Sequence, residues 1–318
     1  MSEFTHKHVE TNGITMHVVE AGSGFPVLLC HGFPEIWYSW RHQIRALANA
    51  GFHVIVPDQR GYGETDAPQP IEAYTIHHLV GDLTGLLDAL GIGQAAIVGH
   101  DWGGLVVWQM ALLAAHRVAA VVGVNTPFFA RLPLRPIDMM RAVAQGNFHY
   151  ILYFQEPGVA EAELEADPRR SMRLFLYAAS GDAPQDPLTW QKPKTATFLQ
   201  GMPEPEKLPA WLTEADLDYF TAEFARTGFR GGLNRYRNMD RDWEEIPELA
   251  GAKVTQPAIY IAGERDGVIA MNPAAVGAMK ETVLDLRRTL LLPGAGHWTQ
   301  QERPAEVNAA LIEFLKGL

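Results

Sequence analysis

The sequence predicts an α/β fold in which a mostly parallel, eight-stranded sheet has helices on both faces and a helical segment is inserted between two strands. Short apolar runs alternate with segments whose apolar residues recur at helical spacing, the order typical of parallel sheets. Asn12-Gly13 separates two stretches of alternating polarity, which predicts an antiparallel hairpin at one edge of the sheet. The alternation of strands and helices stops near Pro127 and resumes after about Trp243.

The strands are predicted from their apolar character. The hairpin supplies the first two, around residues 8–10 and 14–19. Continuous apolar runs, of the kind that a parallel sheet buries on both faces, follow at residues 26–30, 53–57, 95–98, 118–124, 258–262 and 289–292.

The helices are predicted between these runs. Leucines recur at helical spacing over residues 79–90, with Thr75 in position to cap the start of that helix and Gly91 to end it. Further helices are predicted over residues 37–50, from Gly104 and from Pro304.

The segment between the two parts of the sheet has a different character. Prolines are frequent in it, and its apolar residues indicate several short helices rather than glycine-bounded strands. We interpret residues 127–243 as a helical cap, or lid, inserted into an α/β core formed by residues 1–126 and 244–318. In sheets of this kind ligands bind beyond the carboxyl ends of the strands.

The composition excludes several classes of protein. With 318 residues and 47% hydrophobic content, the chain can bury a large core. The formal net charge of −11, with no compensating block of Lys and Arg, argues against a nucleic-acid or anionic-membrane partner. Because the N-terminus lacks a signal-peptide pattern and no apolar run reaches the roughly 20 residues that cross a bilayer, we expect a cytoplasmic protein without membrane insertion. The single cysteine, Cys30, is expected to be a buried strand residue.

The chemistry is centred on Gly99-His100-Asp101-Trp102-Gly103-Gly104, which joins an apolar run to a predicted helix. Glycines on both sides permit a strained turn that projects Asp101 outward, as in the nucleophile elbow of α/β-hydrolases, with aspartate where lipases and esterases carry serine. A carboxylate is already charged at neutral pH and can attack saturated carbon, which leaves an ester on its own side chain. The alternative is that Asp101 only caps the following helix.

Hydrolysis of such an ester requires a base. His297 lies on a glycine-flanked loop after the last predicted strand, where the chain order nucleophile, acid, histidine places the base. The carboxylate that orients it is predicted to be Asp266, although spacing alone does not exclude Glu264. Asn125 occupies the other position for this acid and cannot carry the charge. His100, beside the nucleophile, is expected to be structural.

The oxyanion formed during hydrolysis requires hydrogen-bond donors. The backbone amides of Trp102, directly after the nucleophile, and of Phe33, in His31-Gly32-Phe33-Pro34, are the predicted donors. Pro34 would then form a rigid turn that aims the Phe33 amide, and a cis bond suits that role. The alternative is that this sequence forms an ordinary strand-to-helix turn.

Several motifs together resemble the soluble epoxide hydrolases, particularly the hydrolase domain of the mammalian soluble enzyme. The resemblance covers nearly the whole chain and diverges between Ala166 and Pro209. Its motifs lie at residues 31–35, 37–40, 99–104, 153–158, 228–231, 236–239 and 296–300.

The resemblance implies two cap tyrosines that bind the epoxide oxygen and protonate it as the ring opens. They correspond to Tyr150 and Tyr236, with Tyr153 as a rival for the first role. An epoxide lacks a good leaving group unless acidic O–H groups meet its oxygen, so the requirement is physically sound.

We therefore expect an epoxide hydrolase that converts lipophilic epoxides to vicinal diols with water, without a metal or organic cofactor, as a monomer or homodimer. The alternative enzyme is a haloalkane or haloacid dehalogenase, which uses the same aspartate, histidine and acid. From a different class, the chain could be a non-catalytic binding protein on a hydrolase scaffold. Turnover of styrene oxide against 1-chlorobutane or fluoroacetate distinguishes the two enzymes, and ligand binding without any turnover would indicate the binding protein.

Overall fold

The computed structural model describes residues 4–131, 133–186, 189–271 and 273–318, and the predicted α/β-hydrolase fold is confirmed. Residues 1–3, 132, 187, 188 and 272 fall within the predicted core and cap bounds but lie outside the described residues. The described strands are β1 (Thr5–Thr11), β2 (Ile14–Ala21), β3 (Phe25–Cys30), β4 (Phe52–Pro57), β5 (Ala95–His100), β6 (Val118–Val124), β7 (Val254–Gly263) and β8 (Val283–Leu292).

These strands form one sheet in the order β1-β2-β4-β3-β5-β6-β7-β8. The hairpin β1–β2 is antiparallel, as Asn12-Gly13 predicts, and β2 also runs antiparallel to β4. From β4 to β8 all neighbouring strands are parallel. The carboxyl ends of β5, β6, β7 and β8 therefore meet at one edge of the sheet.

Helices occupy the connections between the strands and also follow β8. They are α1 (Arg41–Asn49), α2 (Ile76–Ala89), α3 (Trp102–Leu113), α4 (Pro136–Ala144), α5 (Tyr150–Tyr153), α6 (Val159–Leu164), α7 (Pro168–Ala178), α8 (Glu214–Thr227), α9 (Arg230–Arg237), α10 (Met239–Glu245), α11 (Gly267–Met271), α12 (Pro273–Thr282), α13 (Thr299–Glu302) and α14 (Pro304–Lys316).

The two faces of the sheet are buried by different helices. Successive side chains of a strand point to opposite faces, so Leu28 of β3 belongs to a cluster with residues of α2 and α3, whereas Leu29 belongs to a cluster with residues of α1 and α14. Burial on both faces explains why the parallel strands are continuous apolar runs. Cys30 is a buried, free cysteine, as predicted.

The described residues between β6 and β7 contain α4 to α10 and no strand. Most of their buried hydrophobic side chains share one cluster with Phe33, Trp102 and Trp298, which follow the carboxyl ends of β3, β5 and β8. This helical segment therefore packs over the edge of the sheet where ligands of such folds bind. The predicted boundaries of core and cap stay a prediction.

The start of one helix and the capping of another differ from the sequence prediction. Helix α3 begins at Trp102 rather than Gly104. Gly103 permits this start because it packs closely against the backbone carbonyl of Cys30, with which a Cβ would collide. Thr75 does occupy the N-cap position of α2, but its hydroxyl contacts the His78 ring. The carboxylate that accepts the first amide of α2 instead belongs to Asp242 of α10, 2.8 Å away.

In the described part of the chain, no helix combines the length and apolar character that crossing a membrane requires.

Candidate active site

Asp101 lies on a strained turn between β5 and α3. Its φ of 51° and ψ of −119° are sparsely populated for a residue with a side chain, a conformation that costs about 1–3 kcal/mol. Gly99 permits the turn, because a Cβ there would collide with the carbonyl oxygen of Gly103. The Asp101 side chain makes no capping hydrogen bond to α3, so the helix-cap alternative does not describe it. The elbow presents the carboxylate outward.

One oxygen of this carboxylate faces the loop after β3. The Phe33 amide donates a hydrogen bond of 2.8 Å to Asp101 Oδ1, and the Phe33-Pro34 bond is cis. Gly32 permits this approach because a Cβ on it would collide with the Asp101 side chain. The Trp102 amide, the second predicted donor, is at the first residue of α3, where an N–H has no partner within the helix.

The other carboxylate oxygen faces His297. Asp101 Oδ2 lies 3.5 Å from His297 Nε2, and His297 Nδ1 lies 3.0 Å from Asp266 Oδ1. Asp266 is buried, whereas Glu264 is exposed at the surface, so the structure brings Asp266 rather than Glu264 to the histidine.

Asp266 is itself held by two donors. The side-chain amide of Asn125 donates to Asp266 Oδ2 at 2.8 Å, and the backbone amide of Val268 donates to Asp266 Oδ1 at 3.0 Å. From the sequence, Asn125 was noted only as a residue that cannot serve as the charged acid. In the structure it helps to orient Asp266. Such donors keep a buried carboxylate ionised and fixed in orientation.

The electrostatics favour an ion pair between Asp101 and His297. Burial alone would raise the pKa of Asp101, but the hydrogen bond and charge of His297, the charge of His100 and the Phe33 amide lower it below its usual value. Burial alone would lower the pKa of His297, but the carboxylates of Asp266 and Asp101 raise it well above its usual value. The resting site therefore holds a carboxylate against an imidazolium.

Tyr150 and Tyr236 lie together above the elbow. Their rings are 6.1 Å apart between centroids, and the Tyr236 ring is 4.8 Å from that of Trp102. Burial, followed by the negative charge of Asp101, raises the pKa of both phenols, so both are protonated at neutral pH. Tyr153 is directed elsewhere, because its hydroxyl donates to Glu163 at 2.9 Å.

Sequence reasoning missed the carboxylates that hold the loops of this site. Glu302 accepts the amides of Gly296 and Trp298, on both sides of His297, at 2.8 and 3.0 Å. Fully buried Glu35 binds His100 and the loop that carries Phe33. The sequence offered one indication of this role for Glu35, which lies within the motif at residues 31–35.

Within the described residues, no group of three or more His, Cys, Asp or Glu side chains is arranged to hold a metal ion.

Comparison with known proteins identifies the family. Residues 26–304 match the family model described as alpha/beta hydrolase fold. The chain is 50% identical over 317 residues to Epoxide hydrolase A of Mycobacterium tuberculosis (strain H37Rv), covering 99% of this chain and 98% of that one. The chain belongs to the epoxide hydrolase family. Within that family it also matches the crystal structure of Epoxide Hydrolase A from Mycobacterium thermoresistibile with a TM-score of 0.95 and 53% identity, covering 99% of each chain.

A mammalian epoxide hydrolase is among the relatives as well, which confirms the resemblance that the motifs indicate. The chain is 43% identical over 306 residues to Bifunctional epoxide hydrolase 2 of Sus scrofa, covering 96% of this chain and 54% of that protein. These family members do not favour the dehalogenase alternative.

Proposed function

We propose that this enzyme hydrolyses epoxides to vicinal diols through a covalent ester on Asp101. The observation that carries the proposal is an ionised carboxylate on a strained elbow, with the Phe33 amide on one oxygen and His297 on the other. The tyrosine pair over the elbow supports an epoxide as the substrate, because ring opening requires an acid at the ring oxygen. The names of the relatives support the same reaction.

In the first step, Asp101 Oδ2 attacks an epoxide carbon and the bond from that carbon to the ring oxygen breaks. Tyr150 and Tyr236 hydrogen-bond the ring oxygen, and one of them transfers its proton to it. The raised pKa of both phenols keeps this proton available at neutral pH. The step leaves a hydroxyalkyl ester on Asp101 and a tyrosinate.

Ester formation then converts His297 into a base. The ester has no charge, so one of the two carboxylates that raise the pKa of His297 is gone and that pKa falls. The imidazolium can return a proton to the tyrosinate and become neutral. Asp266 holds His297 Nδ1, which leaves Nε2 free to accept a proton from water.

In the second step, the resulting hydroxide attacks Cγ of Asp101. The oxyanion develops on Oδ1, where the amides of Phe33 and Trp102 stabilise it. Collapse breaks the Cγ–Oδ2 bond, the alkoxide takes a proton from His297, and the diol leaves with Oδ2. The carboxylic acid left on Asp101 gives its proton to His297, which restores the resting ion pair.

We further propose that residues 127–243 act as a cap that supplies an apolar, largely aromatic wall and so favours lipophilic epoxides. Supporting this, Phe154 contacts both Tyr150 and Tyr236, with ring centroids 5.7 and 5.0 Å apart. The Phe33 ring lies 5.7 Å from Tyr236 on the core side. The enzyme is proposed to act in the cytoplasm in detoxification, as a monomer or homodimer. Light scattering and cell fractionation test the oligomeric state and the location.

A substrate panel tests the proposed reaction. Purified enzyme is incubated with styrene oxide, 1-chlorobutane and fluoroacetate, and formation of diol or halide is measured. We expect diol from styrene oxide and no halide release. The matched control is Asp101→Asn, which keeps the size of the side chain and removes its charge, and should abolish turnover. Halide release without diol would indicate a dehalogenase, and no turnover of any compound would indicate a binding protein.

A further inference from the structure

Arg235 is a buried arginine whose side-chain nitrogens have no hydrogen-bond partner. It lies in α9, directly before Tyr236, and only 1% of its surface is exposed. Its Nε, Nη1 and Nη2 are all buried, and none of them has a partner among the residues that the structure describes. A guanidinium has five N–H donors and keeps its positive charge in proteins. The side chain therefore brings one unit of charge and five free donors into the interior.

The guanidinium of Arg235 lies over the ring of Tyr62, with Cζ 4.9 Å from the ring centroid. The Tyr62 ring is in turn packed edge to face against His31, with centroids 4.8 Å apart. A ring face attracts a cation, but it leaves the N–H groups in the plane of the guanidinium without an acceptor. The hydroxyl of Tyr62 is buried as well and has no partner in the described part of the chain. The aromatic contact therefore does not satisfy the donors of Arg235.

Two carboxylates of this region are already bonded to other groups. Asp82 and Asp58 influence the same tyrosine and histidine neighbours that Arg235 influences. The two oxygens of Asp82 accept hydrogen bonds from Arg60, at 2.6 Å from Nη2 and 2.8 Å from Nε. Asp58 Oδ2 lies 2.7 Å from Nδ1 of His17. Neither carboxylate is therefore available to bind Arg235.

The phenols beside Arg235 do not supply a negative charge either. Burial raises the pKa of Tyr74 to about 12, and it also raises the pKa of Tyr62. The charge of Arg235 opposes both shifts without cancelling them. Both phenols are therefore neutral at pH 7, and the charge of Arg235 stays uncompensated by them. Burial of an uncompensated charge is costly unless another group pairs with it.

The position of Arg235 is fixed by close packing of the backbone. Gly231, one helical turn before Arg235 in α9, packs against Gly61 in the loop after β4. A Cβ on Gly231 would collide with the carbonyl oxygen of Gly61, and a Cβ on Gly61 would collide with Cα of Gly231. Because the two backbones touch here, α9 cannot shift outward to carry Arg235 to solvent without breaking this contact.

A surface cleft of about 520 Å³ lies beside this contact. Tyr74 and Gly231 both line it, so the cleft reaches the outer side of the region that contains the guanidinium. Its charged lining residues are Glu165, Arg226 and Arg230, so positive charge exceeds negative charge in it. Such a balance attracts anions from solvent.

We propose that Arg235 binds a small monovalent anion, with chloride as the expected species, at the junction of α9 and the loop after β4. The anion accepts the free N–H groups and neutralises the buried charge. A monovalent ion matches the single charge, and a small one matches a position with 1% exposure. Water would accept the same hydrogen bonds, but it would leave the charge uncompensated. The proposal does not rest on the enzyme's substrate.

The first test measures anion linkage in solution. The unfolding temperature of the wild-type enzyme is recorded in increasing chloride, with gluconate holding the ionic strength constant so that general screening does not change. At a chloride concentration 100 times the dissociation constant, the ratio of folded to unfolded protein increases about 100-fold. We therefore expect the unfolding temperature to rise with chloride. An unfolding temperature that is the same in chloride and gluconate would overturn the proposal.

A pair of variants assigns this dependence to Arg235. Arg235→Met removes the charge and the donors but keeps a long, unbranched side chain, and we expect it to abolish the chloride dependence. The matched control is Arg230→Gln, an exposed position of the same helix whose side chain donates to the Gln69 carbonyl at 3.2 Å. It also removes one positive charge and should retain the chloride dependence. Chloride dependence that persists in Arg235→Met would refute the assignment.

Crystallography locates the ion and does not require that Arg235→Met folds. Wild-type crystals grown without halide are soaked in bromide, and data are collected at the bromine absorption edge. We expect an anomalous peak at hydrogen-bond distance from the Arg235 nitrogens. Density without anomalous signal there would indicate water and overturn the proposal. A peak without chloride dependence in solution would mean binding at crystal concentration only, and would overturn it as well. These outcomes are the same whether or not the enzyme hydrolyses epoxides.

Discussion

Asp266→Asn is the substitution whose effect the geometry predicts most fully. The His297 ring must become positively charged as it takes a proton from water, and Asp266 Oδ1 lies 3.0 Å from its Nδ1. At an effective dielectric constant of about 20, unit charges at this separation attract by about 5.5 kcal/mol, equivalent to roughly 10⁴-fold in rate. The corresponding change in Ser-His-Asp enzymes costs about the same factor.

The loss should fall on the second step, because Asp101 is the nucleophile in the first. Rapid-quench single turnover with styrene oxide, followed by intact mass measurement, separates the two steps. We expect the alkylated Asp266→Asn enzyme to persist about 10⁴-fold longer than that of the wild type. A loss confined to alkylation, with no ester detected, would refute the reasoning.

Asn125 offers a matched rescue. Its side-chain nitrogen lies 2.8 Å from Asp266 Oδ2, and its φ of 62° is one that aspartate tolerates as asparagine does. The double variant Asn125→Asp with Asp266→Asn returns one carboxylate to the hydrogen-bonded group formed by residues 125, 266 and 297. We expect part of the lost hydrolysis rate to return. No recovery, in a variant that melts at the wild-type temperature, would mean that Asp266 contributes hydrogen-bond geometry and not charge.

The remaining predictions concern the base, the acids and the elbow. His297→Gln should alkylate and then stall, so its mass increases by that of the epoxide; an unmodified mass after incubation would contradict the two-step scheme. Tyr150→Phe and Tyr236→Phe should each slow alkylation by about 10²-fold without accumulating ester, whereas Tyr153→Phe should not slow it. Gly99→Ala should lower the free energy of unfolding in urea by about 1–3 kcal/mol because its Cβ would collide with Gly103, and the exposed helix control Gly277→Ala should not lower it.

The sequence predicts the elements of the fold and the elbow because their signals are local. The glycines around Asp101 and the apolar runs of the strands lie within a few residues of the feature that they determine. His297 and Asp266 were predicted from chain order, but spacing could not separate Asp266 from Glu264; burial does, since only Asp266 is enclosed. The roles of Tyr150 and Tyr236 came from the family resemblance.

Contacts between distant segments could not be predicted in this way. Glu35 and His100 are 65 residues apart, and His100 and His297 are 197 residues apart, so no periodicity or spacing rule relates them. The hydrogen bond between the first amide of α2 and Asp242 also joins residues that are 166 apart in the chain. The local sequence had indicated Thr75 as the cap of that helix. Tertiary packing decides which of several nearby polar groups meets a given donor.

The most direct test of the ester mechanism is a single turnover in ¹⁸O-water with enzyme in excess over the epoxide, followed by mass analysis of the peptide that contains Asp101. Because the Cγ–Oδ2 bond breaks, the account predicts one ¹⁸O atom in the Asp101 carboxylate and an unlabelled diol. Label in the diol with none in Asp101 would mean that water attacks the epoxide directly, and would contradict the account.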